Sequence, residues 1–386
     1  MDELLSRPLL DLRGLAAEVT RDAIAPHSAR VDAECLWPRH SLDALAAAGL
    51  LGLHVPLRLG GHEQGLLALA VVSETIARGC PSSALCFAMH SVGTAVITAK
   101  ATPHHEERYL APIADGRHLT TLALSEAGTG AHFYFPQTRL ERDDGSYAVV
   151  GAKQFVTNGG HADSYVISTL ASGRSQPGEF SCLVVDAGAE GVSWHDPWRG
   201  FGMRGNSSGT MRLDGARVPH QNLLGHEGDQ IWYVFEVVAP YFLMGMAGTY
   251  VGIAQAALDA TLARLRTRTY AHSGETLADV TVLQHRAAGM AAAVQRTRGL
   301  VYHAAYLGDV GDPKAVPEIM LAKAEAAEVA VAVANEAMTC CGGHAYRENS
   351  LVSRLLRDAR AGHVMAPTTD ILRTWAGRLL LDRPLF

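Results

Sequence analysis

The sequence predicts a mostly α-helical α+β fold in three successive parts: a helical domain over residues 1–119, a β module over 120–228 and a helical bundle over 229–386. Three observations predict it. Apolar residues recur at helical spacing through the first part. The period then changes to short runs of β-branched and aromatic residues separated by turn residues. From 229 onward, long Ala- and Leu-rich helical patterns return. No internal repeat or low-complexity linker breaks this order.

In the first part, Ser41 is placed to cap a helix running through 45–48, with Gly49 as its stop. V-P-L-R-L-G-G at 55–61 reads as a loop. Helices are expected over 66–77 and 84–99, and Pro103 opens another at its first turn. In the middle, 147–150, 164–169 and 180–185 read as strands, and Asp143-Asp144-Gly145 as a hairpin turn. The β region continues over 210–218, through Asp214-Gly215, and ends near Pro219. In the last part, helices are expected over 231–269, 280–307, 317–339 and 350–360, and long antiparallel helices of this kind make a bundle. The run 237–254 lacks charge and approaches membrane-spanning length. Pro240, three glycines and two methionines interrupt it and polar helical chain follows, so it reads as a buried bundle helix.

With 48% hydrophobic and 19% charged residues the chain can bury a sizeable core. A net charge of −6 leaves no basic surplus to meet phosphates, which argues against nucleic acid as a partner. Six cysteines without framework spacing, and an N-terminus M-D-E-L-L-S-R-P without a basic stretch or apolar core, lead to the expectation of a reduced, cytoplasmic protein with no membrane partner. His104-His105-Glu106-Glu107 follows Thr102-Pro103 and reads as a helix start whose acids suit the dipole, so no metal is expected.

The chemistry-bearing stretch is G-A-K-Q-F-V-T-N-G-G-H-A-D at 151–163. A Thr within a short strand, an aromatic on the same edge and Asn-Gly-Gly beyond it read as a wall built to face a flat ring. S-E-A-G-T-G at 125–130 precedes it, and Gly128 and Gly130 let the backbone come close to a ligand. Taken alone, 151–163 is equally an ordinary hairpin.

Seven segments, in order, resemble the acyl-CoA dehydrogenase family. L-A-L-S-E-A-G-T-G-A-H-F at 122–133 is similar to its A-x-T-E-P-x-A-G-S-D signature, and 151–163 to its N-G-x-K-x-W-I-T-N-G segment. F-G-M-R-G-N-S-S-G at 201–209, with L-D-G-A-R-V-P after it, resembles the family's G-x-R-x-S-x-T run. G-I-A-Q-A-A-L at 252–258, Q-H-R at 284–286, C-C-G-G-H-A-Y at 340–346 and L-L-R-D-A-R at 355–360 resemble landmarks of its bundle. The resemblance covers nearly the whole chain. It implies an N-terminal helical domain, a central β-barrel and a C-terminal four-helix bundle, assembled as a homotetramer, a dimer of dimers.

The resemblance also implies an FAD site. Thr157 would donate to flavin N5, Ser125 would bond the pyrimidine side, Phe155 would pack on the ring, and Leu124, Gly130, Thr368 and Asp370 would complete the contacts. Arg268, Gln284, Gly342 and Gly343 would reach the adenine or pyrophosphate end of a neighbouring subunit's flavin. Ala131, His132, Tyr241, Phe242, Met365 and Ala366 would line the substrate pocket with His90.

Dehydrogenation needs a base for the α proton while hydride leaves the β carbon, and donors for the thioester oxygen. The family's usual Glu falls here on Ala366, with Pro367 in place of Gly and Thr368 retained. The alternative position on the first bundle helix falls on Tyr241 or Phe242, again not a carboxylate. Four residues are candidates in its stead: Asp370, one turn after Ala366; Glu236, before Tyr241; His90, in A-M-H-S-V-G; and His363. Each has a bland alternative. Asp370 suits a helix start or a flavin ribose, Glu236 a solvated surface, His90 a hydrogen-bonded wall and His363 a helix end. The leading expectation is FAD-dependent oxidation of an acyl thioester, on CoA or an acyl-carrier protein, with electrons passed to an electron-transferring flavoprotein or similar acceptor. A flavin-dependent monooxygenase on the same fold is the alternative, and a non-catalytic partner subunit a third reading.

Overall fold

The computed structural model describes residues 5–173, 179–228 and 232–385. Helices come first: α1 (Arg7–Val19), α2 (Ser28–Glu34), α3 (Arg39–Ala47), α4 (Leu66–Ala77), α5 (Pro81–Ala99), and the short α6 (Pro103–His105) and α7 (Ala111–Ala114). Ser41 does not cap α3. The helix enters behind Pro38, and Ser41 sits buried within it, accepting a hydrogen bond from Ser83 on α5 at 3.0 Å. Proline supplies the entry geometry, which leaves the hydroxyl to tie two helices together. Gly49, at φ +73°, ends α3 as expected. Thr102 and His105 close a capping box at the start of α6, so His105 is engaged at the helix end.

The middle is built on strands: β1 (Thr120–Ala123), β2 (Arg139–Asp143), β3 (Ser146–Val156), β4 (Ser164–Thr169), β5 (Ser181–Asp186), β6 (Val192–His195), β7 (Gly209–Pro219) and β8 (Leu223–Leu224). They form two four-stranded sheets, ordered β1-β4-β5-β8 and β2-β3-β7-β6. β1 runs parallel to β4; the other neighbours are antiparallel. Tyr147, Val149, Met211 and Leu213 of one sheet share a core with Tyr165, Ile167, Leu183 and Val185 of the other. The expected barrel is therefore built from two facing sheets. Asp143-Asp144-Gly145 closes the β2–β3 hairpin, with Gly145 at φ +71°.

The last part holds α8 (Ala239–Thr267), α9 (Thr281–Asp309), α10 (Ala315–Cys341), α11 (Leu351–Ala359), α12 (Ala361–Val364) and α13 (Thr369–Leu380). The expected start of the first of these at Ile231 lies outside the described residues; a π-helical turn, Tyr233–Val238, leads into α8. α8, α9 and α10 pack on one another, and α13 packs on α10. Two helical spans, Pro81–Ala99 and Tyr233–Thr267, are long and apolar enough to cross a membrane, and 89% and 78% of their apolar windows are buried inside the protein. The glycines that interrupt the 237–254 run mark a close approach. A Cβ at Gly248 would meet Ala70 O at 2.2 Å, and one at Gly252 would meet Glu74 O at 2.4 Å, so α8 lies directly against α4.

Candidate active site

A cavity of about 760 Å³ opens where four pieces meet: the chain after β1, the end of β3, the entry of α8 and the link between α12 and α13. The segment 151–163 builds one wall, and the reason is a bulge. The β3–β7 ladder shifts register once between Val149 and Val150, runs from there to Lys153↔Met211, and resumes only at Val156↔Gly209. Between them Phe155 adopts φ +54°, an uncommon conformation for a side-chain-bearing residue. The bulge releases Phe155 from the ladder, and its ring lines the cavity while remaining 65% exposed. Trp198 meets it edge-on at 6.4 Å and is itself fixed by donating to Met203 O at 2.8 Å. Beyond the bulge, Thr157 and Ser208 share a hydrogen bond at 3.1 Å on the same wall.

What holds this wall is buried charge. Lys153 is fully buried, and its Nζ meets Glu126 Oε1 at 2.5 Å and Ser168 O at 2.6 Å. Glu126 also accepts from Gln137 N at 2.7 Å and from the Thr138 hydroxyl at 2.7 Å. Burial opposes its ionisation, yet Lys153 and these hydrogen bonds together hold the Glu126 carboxyl below its usual range. The 201–203 loop is fastened by the Arg357-Asp358 pair. Asp358, buried, accepts from Met203 N at 2.6 Å, and burial raises its pKa to about 6. Arg357 grips Asp32 through two hydrogen bonds and donates to Phe201 O at 3.1 Å. Gly202 has no alternative, because a Cβ there would stand 2.2 Å from Arg357 O.

The residues present fit a flat, mostly apolar ring with one polar edge. Phe155, Trp198 and Phe201 offer bare aromatic surface, and Met89, Leu122, Val238 and Phe242 line the cavity with apolar atoms. Polar atoms converge as well. Asn206, which lines the cavity, has a buried Oδ1 with no hydrogen-bond partner. Leu124, Ser125, Gly130, Ala131, Phe155, Thr157, Phe242, Met365, Ala366 and Thr368, all expected from the sequence, come together here.

The candidate bases do not come to the cavity. His90 is fully buried beside it, and both ring nitrogens face backbone: Nδ1 accepts from Thr120 N at 3.1 Å and Nε2 reaches Leu51 O at 3.0 Å. It pins the start of β1 to the 50–52 turn. Glu236 is exposed on the π-helical turn, and Asp370 is exposed in the first turn of α13. His363 lies 3.5 Å from Glu328. Tyr241 packs edge-on against His54 at 4.9 Å, away from the cavity lining. His132 is exposed and shares a hydrogen bond with the Tyr134 hydroxyl at 2.7 Å, although its neighbours Ala131 and Phe133 line the cavity. Glu126 is the one acidic side chain among the described residues lining it, and it is fully engaged. Arg268, Gln284, Gly342 and Gly343 lie at the ends of α8, α9 and α10, outside this cavity. Sequence reasoning missed Ser208, Asn206, Trp198 and the Arg357 and Arg360 side of the cleft. The 201–209 and 355–360 motifs carried that signal, but a motif match alone assigns no contact.

Burial lowers the pKa of His90 and His54 to about 4. Both rings stay neutral in the folded chain, whereas unfolded they protonate near 6.5. The unfolded state therefore takes up more protons below 6.5, and stability present above that pH is lost as the pH falls toward 4, by up to about 1.4 kcal/mol per pH unit for each ring. Urea midpoints measured across this window are expected to fall more steeply for the wild type than for His90→Gln. Equal slopes would refute a buried neutral imidazole.

Three family descriptions match the chain: Acyl-CoA dehydrogenase, N-terminal domain, over residues 9–117, middle domain over 121–216 and C-terminal domain over 241–381. A cyclohex-1-ene-1-carbonyl-CoA dehydrogenase from Geobacter metallireducens is 32% identical, covering 97% of this chain and 99% of its own. An acryloyl-CoA reductase (NADH) from Anaerotignum propionicum is 28% identical, covering 99% and 97%. The solved structure of butyryl-CoA dehydrogenase from Megasphaera elsdenii matches with a TM-score of 0.92 at 26% identity, covering 99% of this chain and 100% of that one.

Proposed function

The chain belongs to the acyl-CoA dehydrogenase family, and on that premise we propose that its cleft holds FAD and oxidises an acyl thioester. The observation that carries this is the bulge in β3, which bares Phe155 to the cavity beside the Thr157–Ser208 hydroxyl pair. Bound FAD supplies an acceptor for two electrons as hydride. Thr157, Ser125 and Ser208 would hold its polar edge, and Phe155 and Trp198 its apolar face. Asn206 Oδ1 is an acceptor awaiting a donor. Met89, Val238 and Phe242 would take the acyl chain, excluding water from it. Arg268, Gln284, Gly342 and Gly343, being outside this cleft, would serve a neighbouring copy's flavin in a homotetramer. The thioester would sit on CoA or a carrier protein, and electrons would leave to an electron-transferring flavoprotein or similar acceptor.

Proton removal in this reading is not assigned to a side chain lining the cleft. Asp370→Asn is accordingly expected to keep the rate of flavin bleaching by acyl-CoA within about threefold of the wild type. A loss of more than about 100-fold, with FAD still bound, would make Asp370 the base. The lack of a disengaged carboxylate among the described cleft residues favours the second reading, a flavin-dependent monooxygenase. The two separate in one experiment. Anaerobic bleaching of tightly bound FAD by an acyl-CoA supports the oxidation. Loose flavin, with product formed only when reduced flavin and oxygen are supplied, replaces it with the second.

A further inference from the structure

Lys323 is a lysine without a carboxylate. It lies on α10, is fully buried, and among the described residues forms no ion pair. Its Nζ donates to two backbone carbonyls, Gly362 O at 2.9 Å and Pro367 O at 3.0 Å. Those carbonyls bracket the stretch Val364, Met365, Ala366 and Pro367, which lines the cavity on its other side. The same stretch is held from behind by contact. A Cβ on Gly362 would meet Ala327 Cβ at 2.7 Å and Tyr250 Cζ at 3.0 Å, and the Tyr250 hydroxyl reaches Met365 Sδ at 3.4 Å. Burying an ammonium is unfavourable unless its donors are used, and here two of its three are used on the cleft wall.

We propose that Lys323 is a positioning residue: its amine fastens residues 362–367 from behind and so sets one wall of the cleft in which the flavin is held. The proposal rests on the flavin reading above for its ligand, but not for its geometry.

Burial alone lowers the pKa of Lys323, to about 7. The titratable and charged groups on the surrounding elements include Tyr250 on α8, Arg354, Arg357 and Asp358 on α11, His363 on α12, and Asp370, Arg373 and Arg378 on α13. On the outer side, Glu325 of α10 faces Arg296 of α9 and Arg373, and Glu328 faces His363 and Arg373. Below pH 7 the amine donates charge-assisted bonds. Above it the amine still donates but without the charge that roughly doubles their strength.

The test is FAD affinity, read by flavin fluorescence on either side of pH 7, for the wild type, Lys323→Met and Lys323→Arg. The wild type is expected to bind FAD about tenfold more weakly above pH 7 than below it, the equivalent of losing part of one charge-assisted bond. Lys323→Met is expected to bind weakly at every pH with no break. Lys323→Arg keeps its charge throughout and is expected to bind tightly with no break. A break retained in both variants overturns the proposal. Hydrogen exchange of amides 361–368 needs no flavin: protection is expected to fall in Lys323→Met at every pH and in the wild type above pH 7. Unchanged protection in Lys323→Met overturns the proposal even if the wild type binds no FAD, an outcome that would sink the flavin reading separately.

Discussion

Ala366→Glu is expected to raise the rate at which an acyl-CoA bleaches the FAD-reconstituted protein by about 10²–10⁴-fold, the usual contribution of a positioned general base. Ala366 lines the same cavity as Thr157 and Phe155, between Met365 and Pro367. Glu126 is already consumed by Lys153, Gln137 and Thr138, so the described residues lining the cleft offer no carboxylate free to take a proton from carbon. A new one among apolar neighbours would also have its pKa raised by desolvation, which moves it toward the pH at which a base works best. Anaerobic rapid mixing measures the bleaching, with Ala366→Gln as the control that adds the bulk without the base. If Ala366→Glu binds FAD fully and bleaches no faster than Ala366→Gln, the substrate carbon does not sit against this wall.

The sequence displays the bundle and this wall, and hides what lies behind them. The long helices were legible because α9, α10 and the second half of α8 keep their periodicity over many turns. The wall at 151–163 was legible because a backbone that must turn left-handed, as at Gly160, or approach another strand closely demands glycine; a Cβ at Gly159 would meet Trp194 on β6 at 2.7 Å. β2 was not legible: in R-L-E-R-D only Leu140 is buried, so no apolar alternation marks it. His90 was misplaced for the opposite reason. α5 is buried on nearly every face, so no stripe tells which residues meet the cleft. Met89 does, while His90 turns to Thr120 and Leu51. Lys323 gave no signal at all, since its partners are carbonyls, which carry no sequence identity.

The largest expected loss of stability follows from Lys153→Met, which should cost about 3–5 kcal/mol by leaving Glu126 charged and buried without its cation. The reach of that loss is wider than one pair. Glu126 holds Gln137 and Thr138 of the loop that returns to β2, and Lys153 ties β3 to Ser168 on β4, in the other sheet. Removing the ammonium therefore loosens the junction between the two sheets just before the bulge that presents Phe155, and FAD retention should fall along with the unfolding midpoint. Removing the stranded charge as well should reverse much of this. The pair's own attraction is offset by the desolvation of both ions, so Lys153→Met combined with Glu126→Gln is expected to be more stable than Lys153→Met alone. Gln at 126 still accepts from Thr138 but brings an amide that needs an acceptor of its own, so recovery is expected to be partial. Denaturant unfolding of the two single variants and the double variant measures the coupling. If the single and double variants unfold at the same midpoint, the pair is not what joins the sheets behind the cleft.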